Sequence, residues 1–252
     1  AAAGAAELAT IIAVGESAGY DHPGAALALI GLQDVLVYGY VDVRIERSLA
    51  ARELYAPQDS LGDLLAAPFN RRVLARSDVW AGTLILVAAG VGASLLLDGG
   101  DIERDEIASR PNVFGHEFHP GLGYPLGLGA FGLLFSHVAV AEEALFRGEL
   151  QSAIARTRSP EAGWLWASLL FGATHSLNAL FLPADERTRY LLLGVPFITA
   201  VGSYIGHTYR RSEYSLAVPV AIHFWYDVLL SATFFALDPK NSPLSAGVRL
   251  HF

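Results

Sequence analysis

The 252-residue chain has no cysteine and no methionine, and its one lysine is Lys240. Without cysteine there can be no disulfide, no thiolate metal site and no cysteine nucleophile, and the redox compartment stays undetermined. Without methionine Ala1 is not an initiator, so the opening Ala-Ala-Ala-Gly-Ala-Ala is read as a processed terminus or as residues of uncertain identity. Charge is scarce too, at 17% of residues against 53% hydrophobic, with a mean hydropathy of +0.39. The formal net charge is -8 and no basic patch is present, so no nucleic-acid partner is expected. No basic segment precedes the first apolar stretch, so no signal peptide is read and insertion is expected to rely on internal spans. No repeat of roughly 20 to 50 residues and no low-complexity linker divides the chain.

What is abundant is apolar sequence in long blocks. A bilayer core of about 30 Å needs roughly 20 apolar residues per helix. Five stretches qualify: Val79 to Leu97, Gly121 to Leu150, Gly163 to Leu182, Tyr190 to His207 and Leu216 to Leu237. A sixth, Gly24 to Val43, is marginal because it contains Gln33 and Asp34, and residues 1 to 23 read as amphipathic. The expected fold is therefore all-α, a polytopic transmembrane helical bundle of about six spans. It divides into an N-terminal membrane region at 1–119, with the amphipathic segment and about two spans, and a core at 120–252 with about four. Arg44, Arg47, Arg52, Arg71, Arg72 and Arg76 follow the first stretch, and Asp98, Asp101, Glu103, Asp105 and Glu106 follow the second. Arg156, Arg158, Arg210 and Arg211 continue the alternation, which puts the Arg loops in the cytoplasm and both chain ends outside it.

Ionisable residues inside such spans cost several kcal/mol and are functional candidates by default. Glu142, Glu143 and Arg147 share one stretch; Glu143 and Arg147 stand at i and i+4 and can pair, leaving Glu142 about 100° away. His175 sits four residues after Phe171 in an otherwise apolar stretch, and His223 and Asp227 share a helix face at i and i+4. Taken singly, each reads as an interfacial charge, a hydrogen-bonded core histidine or a packing contact between helices. An acid pair with Arg, a buried His, and a His with an acid, on three separate spans, is a costly set for a bundle that only packs.

Glu142-Glu143-x-x-x-Arg147, Phe171-x-x-x-His175 and His223-x-x-x-Asp227 resemble, in order and approximate spacing, the three motifs of the CaaX-protease/bacteriocin-processing (CPBP, or Abi) family of intramembrane glutamic proteases. That family includes the type II CaaX prenyl endopeptidases. The resemblance covers roughly Gly121 to Leu237. It implies an intramembrane endopeptidase in which Glu142 is the general base and His175 positions or activates the water. Glu143 and Arg147, supported by Phe171, would hold the first carboxylate, and His223 with residue 227 would stabilise the oxyanion. Asp227 stands where the family often has Asn. An ionised Asp accepts hydrogen bonds and cannot donate one, so it would act protonated by burial or as the partner that keeps His223 charged.

Two histidines with two or three carboxylates could ligate zinc, but HExxH is absent and His116-Glu117-Phe118-His119 is one residue too short, so a mechanism without metal or cofactor is favoured. Gly15-Glu16-Ser17-Ala18-Gly19 fits a nucleophile elbow, yet Asp21-His22-Pro23-Gly24 reads as a turn where the elbow needs a helix. His137, His207 and His22 belong to no defensible pattern. The expected partners are membrane lipid and a membrane-anchored protein or peptide substrate. The expected location is the bacterial cytoplasmic (inner) membrane, with the site opening to the cytoplasmic side. The alternative is a non-catalytic CPBP-like subunit binding protein, lipid or pigment in a larger membrane complex. A proton-relaying transporter is disfavoured by the absence of paired broken helices.

Overall fold

The structure, a computed structural model, describes residue 39 and residues 43–97, 110–113 and 116–240. The amphipathic opening with Gly15–Gly19, nearly all of the Gly24 to Val43 stretch and the Asp98 to Glu106 loop lie outside the described residues.

The fold is all-α, as the apolar blocks dictate. Helix α1 runs through residues 43–50. It is followed by α2 (Leu61–Ala66), α3 (Arg71–Leu74), α4 (Ser77–Leu97) and α5 (Pro120–Glu143). A π-helix (Ala144–Gln151) continues α5 into α6 (Ser152–Thr157), and then come α7 (Pro160–His175) and a 3-10 turn (Ser176–Phe181). The chain closes with α8 (Ala184–Arg189), a second π-helix (Tyr190–Gly194), α9 (Val195–Arg211) and α10 (Ala217–Leu237). Among the described residues, strands are confined to β1 (Asn112–Val113), which pairs antiparallel with β2 (His116–Glu117). Local chemistry sets several of these boundaries. Ser159 caps α7, its Oγ accepting from the Ala162 amide at 3.1 Å, with Pro160 directly after it where a missing N–H costs nothing. Ser60 and Asp63 form a capping box on α2.

Four helical segments among the described residues are long and apolar enough to cross a membrane: Ser77–Ser94, Pro120–Thr157, Ala184–Arg211 and Ala217–Leu237. These correspond to four of the six stretches expected. The Gly163 to Leu182 stretch differs: its α-helix is the 16-residue α7, and the chain then tightens into a 3-10 turn. At 1.5 Å per residue such a helix spans about 24 Å, short of the hydrocarbon core.

The chain separates into two compact units, and α4, α5 and α10 contribute residues to both. In the unit formed by Thr83–Val138 and Phe224 onward, Phe235 packs edge-on to Tyr124 and Phe131, and a Cβ at Gly127 would lie 2.3 Å from its ring. The other unit, Val35–Gly82 with Ala139–His223, holds a core of Phe146, Phe171, Ala179, Tyr190 and Ile198. Here α7 and α9 cross at small residues. A Cβ on Gly172 would sit 1.8 Å from Thr199 Oγ1, and one on Gly202 would sit 2.6 Å from the Phe171 ring. In the same unit the Arg-bearing helix ends gather: Arg210 at the end of α9 pairs with Glu161 at the start of α7, and Arg156 at the end of α6 pairs with Glu53. Asp59 accepts from the Leu216 amide and from Ser215 Oγ (2.8 Å), fastening the turn that leads into α10.

Candidate active site

Glu142 and Glu143 are the last two residues of α5, immediately before the π-helix, a widened turn that re-aims side chains and recurs at functional sites. Their carboxylates take different roles. Glu143 is fully buried and lies between two cationic or protonatable partners. Its Oε2 is 3.1 Å from Arg147 Nε, an ion pair rather than an aligned hydrogen bond, and its Oε1 is 2.7 Å from His223 Nδ1. The pair with Arg147 is the one its i,i+4 spacing predicts. The bond to His223, across 80 residues, has no signature in the sequence.

Arg147 is buried as deeply as Glu143, and its surroundings compensate the charge. Its Nη2 donates to the Gly202 carbonyl at 2.8 Å and its Cζ stands 4.5 Å over the Phe171 ring. One turn on, Gln151 Nε2 donates to the Gly206 carbonyl at 2.9 Å. Two side chains four residues apart thus dock on two carbonyls four residues apart. The Gly202-x-x-x-Gly206 spacing that admits them is a small-residue signature readable from sequence.

Phe171 is the hub of the site. Its ring is 5.0 Å from Phe146, 4.5 Å from the His175 ring and 6.1 Å from the His223 ring, so the residue placed in the middle motif packs against Phe146 and both histidines. Its carbonyl lies 2.7 Å from His175 Nδ1. A carbonyl only accepts, so Nδ1 is the donor in this bond. His175 is the final residue of α7, and its own carbonyl accepts from the Tyr190 hydroxyl at 2.9 Å, which in turn accepts from Asn178 Nδ2 at 3.1 Å. Tyr190 and Asn178 were invisible to motif reasoning because they act through backbone and one another.

The two imidazoles converge on Glu142. Its Oε2 lies 3.9 Å from His175 Nε2 and 3.9 Å from His223 Nε2. That oxygen is buried and has no hydrogen-bond partner among the described residues, although the side chain as a whole keeps 23% exposure. A separation of 3.9 Å is too long for a direct bond and suits one bridging water. Among the described residues no group of three or more His, Asp or Glu is placed to hold a metal ion. Asp227 is buried on α10, one turn beyond His223, in the residues assigned to the other unit. His116 and Glu117 form strand β2 of the hairpin, and both are exposed.

A family model described as type II CAAX prenyl endopeptidase, Rce1-like, matches residues 124–229. The matched segment contains all three motifs, and the family resemblance read from them holds. That family is one of membrane proteases, so the match supports a peptide hydrolase at family level. No curated protein and no solved structure matches the chain.

Proposed function

We propose that the chain hydrolyses a peptide bond of a membrane-associated protein or peptide, using a water activated by Glu142 and no metal. The observation that carries this reading is the placement of one buried Glu142 oxygen 3.9 Å from the Nε2 atoms of both His175 and His223. A water between them donates one hydrogen to the carboxylate and the other to the His175 lone pair. Its own lone pair is then free to face a carbonyl carbon. With two acceptors supplied, the third group must donate. In this reading His223 does so from Nε2 while its Nδ1 donates to Glu143 Oε1 at 2.7 Å, so that both ring nitrogens are donors.

The chemistry then balances. Glu142 takes a proton as the water oxygen bonds to the carbonyl carbon, and His223 Nε2–H steadies the oxyanion in a water-poor site. Collapse breaks the C–N bond, and the Glu142 proton passes to the leaving amine. Asp227, one turn from His223, is assigned to the oxyanion side with it. The Arg-bearing end of the unit faces the cytoplasm of a bacterial inner membrane, and access to the site is from that side.

The test compares the purified chain with Glu142→Gln on a panel of membrane-anchored peptides. Activity should fall by about 10²–10⁴, with a melting temperature close to the parent's. Cleavage that persists in Glu142→Gln removes Glu142 from the role. A well-folded parent that cleaves nothing, yet co-purifies with other membrane proteins, returns the reading to a non-catalytic subunit.

A further inference from the structure

At the Arg-bearing end of the same unit, α4 and α9 border an open cavity of about 510 Å³ that contains none of the residues assigned to catalysis. The two helices are pinned beside it. The Tyr204 ring lies where a Cβ on Gly82 would be, 2.0 Å away, and its hydroxyl donates to the Asp78 carbonyl. The charged lining is Arg76, Asp78 and Arg211, with His207 exposed among them.

Asp78 is already satisfied, since Arg76 clasps it through Nε at 2.9 Å and Nη2 at 2.7 Å. That leaves Arg76 Nη1 outside the pair, and Arg211 meets no carboxylate among the described residues. Two guanidiniums against one carboxylate give the lining a net positive charge, before any contribution from His207. The depth is equally informative. One span begins at Ser77 and another ends at Arg211, so the cavity lies where helices leave the apolar layer. Aromatic residues mark the same level: Trp80 Nε1 donates to the Leu74 carbonyl at 2.9 Å, and the Trp164 ring lies 6.0 Å from His207.

We infer that this cavity binds the phosphate of an anionic phospholipid headgroup, held by Arg211 and Arg76 with His207 beside them. Basic pockets between transmembrane helices at the headgroup level are suited to such ligands. A soluble phosphate shares the charge but has no apolar chains to use the Ala81 wall or the membrane level of the site. The inference is independent of the proposed hydrolysis, and each stands if the other fails.

The intact chain, purified in neutral detergent, is titrated with short-chain phosphatidylglycerol, short-chain phosphatidylcholine and inorganic phosphate. Binding is read by native mass spectrometry and thermal shift. Phosphatidylglycerol should bind and stabilise, with the other two much weaker. Arg211→Gln and Arg76→Gln should each weaken phosphatidylglycerol about fivefold, while Arg72→Gln, an exposed arginine outside the cavity, should not. Should an Arg variant fail to fold, Ala81→Leu narrows the cavity without altering charge and should also weaken binding several-fold. Undiminished binding in these variants overturns the inference. Equal binding of phosphatidylcholine, or of inorganic phosphate, overturns it too, by assigning the cavity to apolar chains or to a soluble anion.

Discussion

At the scale of single residues, spacing along the helix was informative and distance along the chain was not. Glu143 and Arg147 could be paired from sequence because i and i+4 fall on one helical face whatever the tertiary fold. The bond from His223 Nδ1 to Glu143 joins positions 80 residues apart, and nothing periodic connects them. Sequence reasoning therefore matched His223 with its i+4 neighbour Asp227 and left Glu143 with Arg147 alone. The buried triplet Arg147, Glu143 and His223 makes Arg147 a sensitive point. Arg147→Ala removes one partner of a buried pair and leaves Glu143 with His223 alone in a low-dielectric core, a loss of about 3–5 kcal/mol. The expected result is a clearly lower melting temperature in detergent, with activity lost alongside it. An unchanged melting temperature would show that solvent, not Glu143, compensates the guanidinium.

At the scale of elements, the lengths of apolar blocks predicted four of the long helices, whereas the Gly163 to Leu182 stretch is divided between α7 and a 3-10 turn. Hydropathy counts Ser176 to Leu182 as a continuation, yet Tyr190 and Asn178 fasten that segment as a turn beneath His175. Tertiary bonds to the backbone decide that boundary, and they leave no trace in composition. The α7–α9 crossing is a different case, because its cause is visible as Gly172, Gly202 and Gly206. Gly202→Ala would place a methyl 2.6 Å from the Phe171 ring and 3.3 Å from Arg147 Nη2. Overpacking of this kind costs about 1–3 kcal/mol, and here it would also displace Phe171, the ring on which both histidines rest. Lower stability together with a reduced turnover number is expected. Full activity in Gly202→Ala would show that the crossing relaxes without moving the site.

A second element-level contact is electrostatic and can be followed by pH. Arg44 on α1 bonds Glu149 in the π-helix and lies 3.1 Å from Glu53, which Arg156 of α6 also reaches at 3.2 Å. The hydrogen bond from Arg44, more than any other contact, holds the Glu53 carboxyl below its ordinary range. A carboxylate whose folded pKa is depressed stabilises the fold above the unfolded value, near 4.3, and loses that contribution as pH falls through the folded value. Because both side chains are part-exposed, the gain is under about 1 kcal/mol. The melting temperature of Glu53→Gln should therefore lie slightly below the parent's at pH 7 and converge with it towards pH 3 to 4. A difference independent of pH would assign the effect to packing.

For the whole molecule, orientation is the property that sequence addresses most directly, since it depends on where charges fall between spans and not on how helices pack. In the unit that contains the site, contacts bring the Arg-bearing ends together: Arg210 with Glu161, Arg156 with Glu53, and the cavity that joins Arg76 to Arg211. The Pro120–Thr157 segment is long and apolar enough to cross a membrane and has Arg156 at its far end. Its two ends should therefore lie on opposite sides of the bilayer, with the arginine end retained in the cytoplasm. The absence of cysteine makes this measurable without background, because a single introduced thiol is the only one present. Arg72→Cys and Glu117→Cys both replace exposed residues, the first beside the arginine cluster and the second just before α5. In intact cells a membrane-impermeant maleimide should label Glu117→Cys and leave Arg72→Cys unmodified until the membrane is permeabilised. Labelling of Arg72→Cys in sealed cells would reverse the orientation, and with it the direction from which a substrate reaches Glu142.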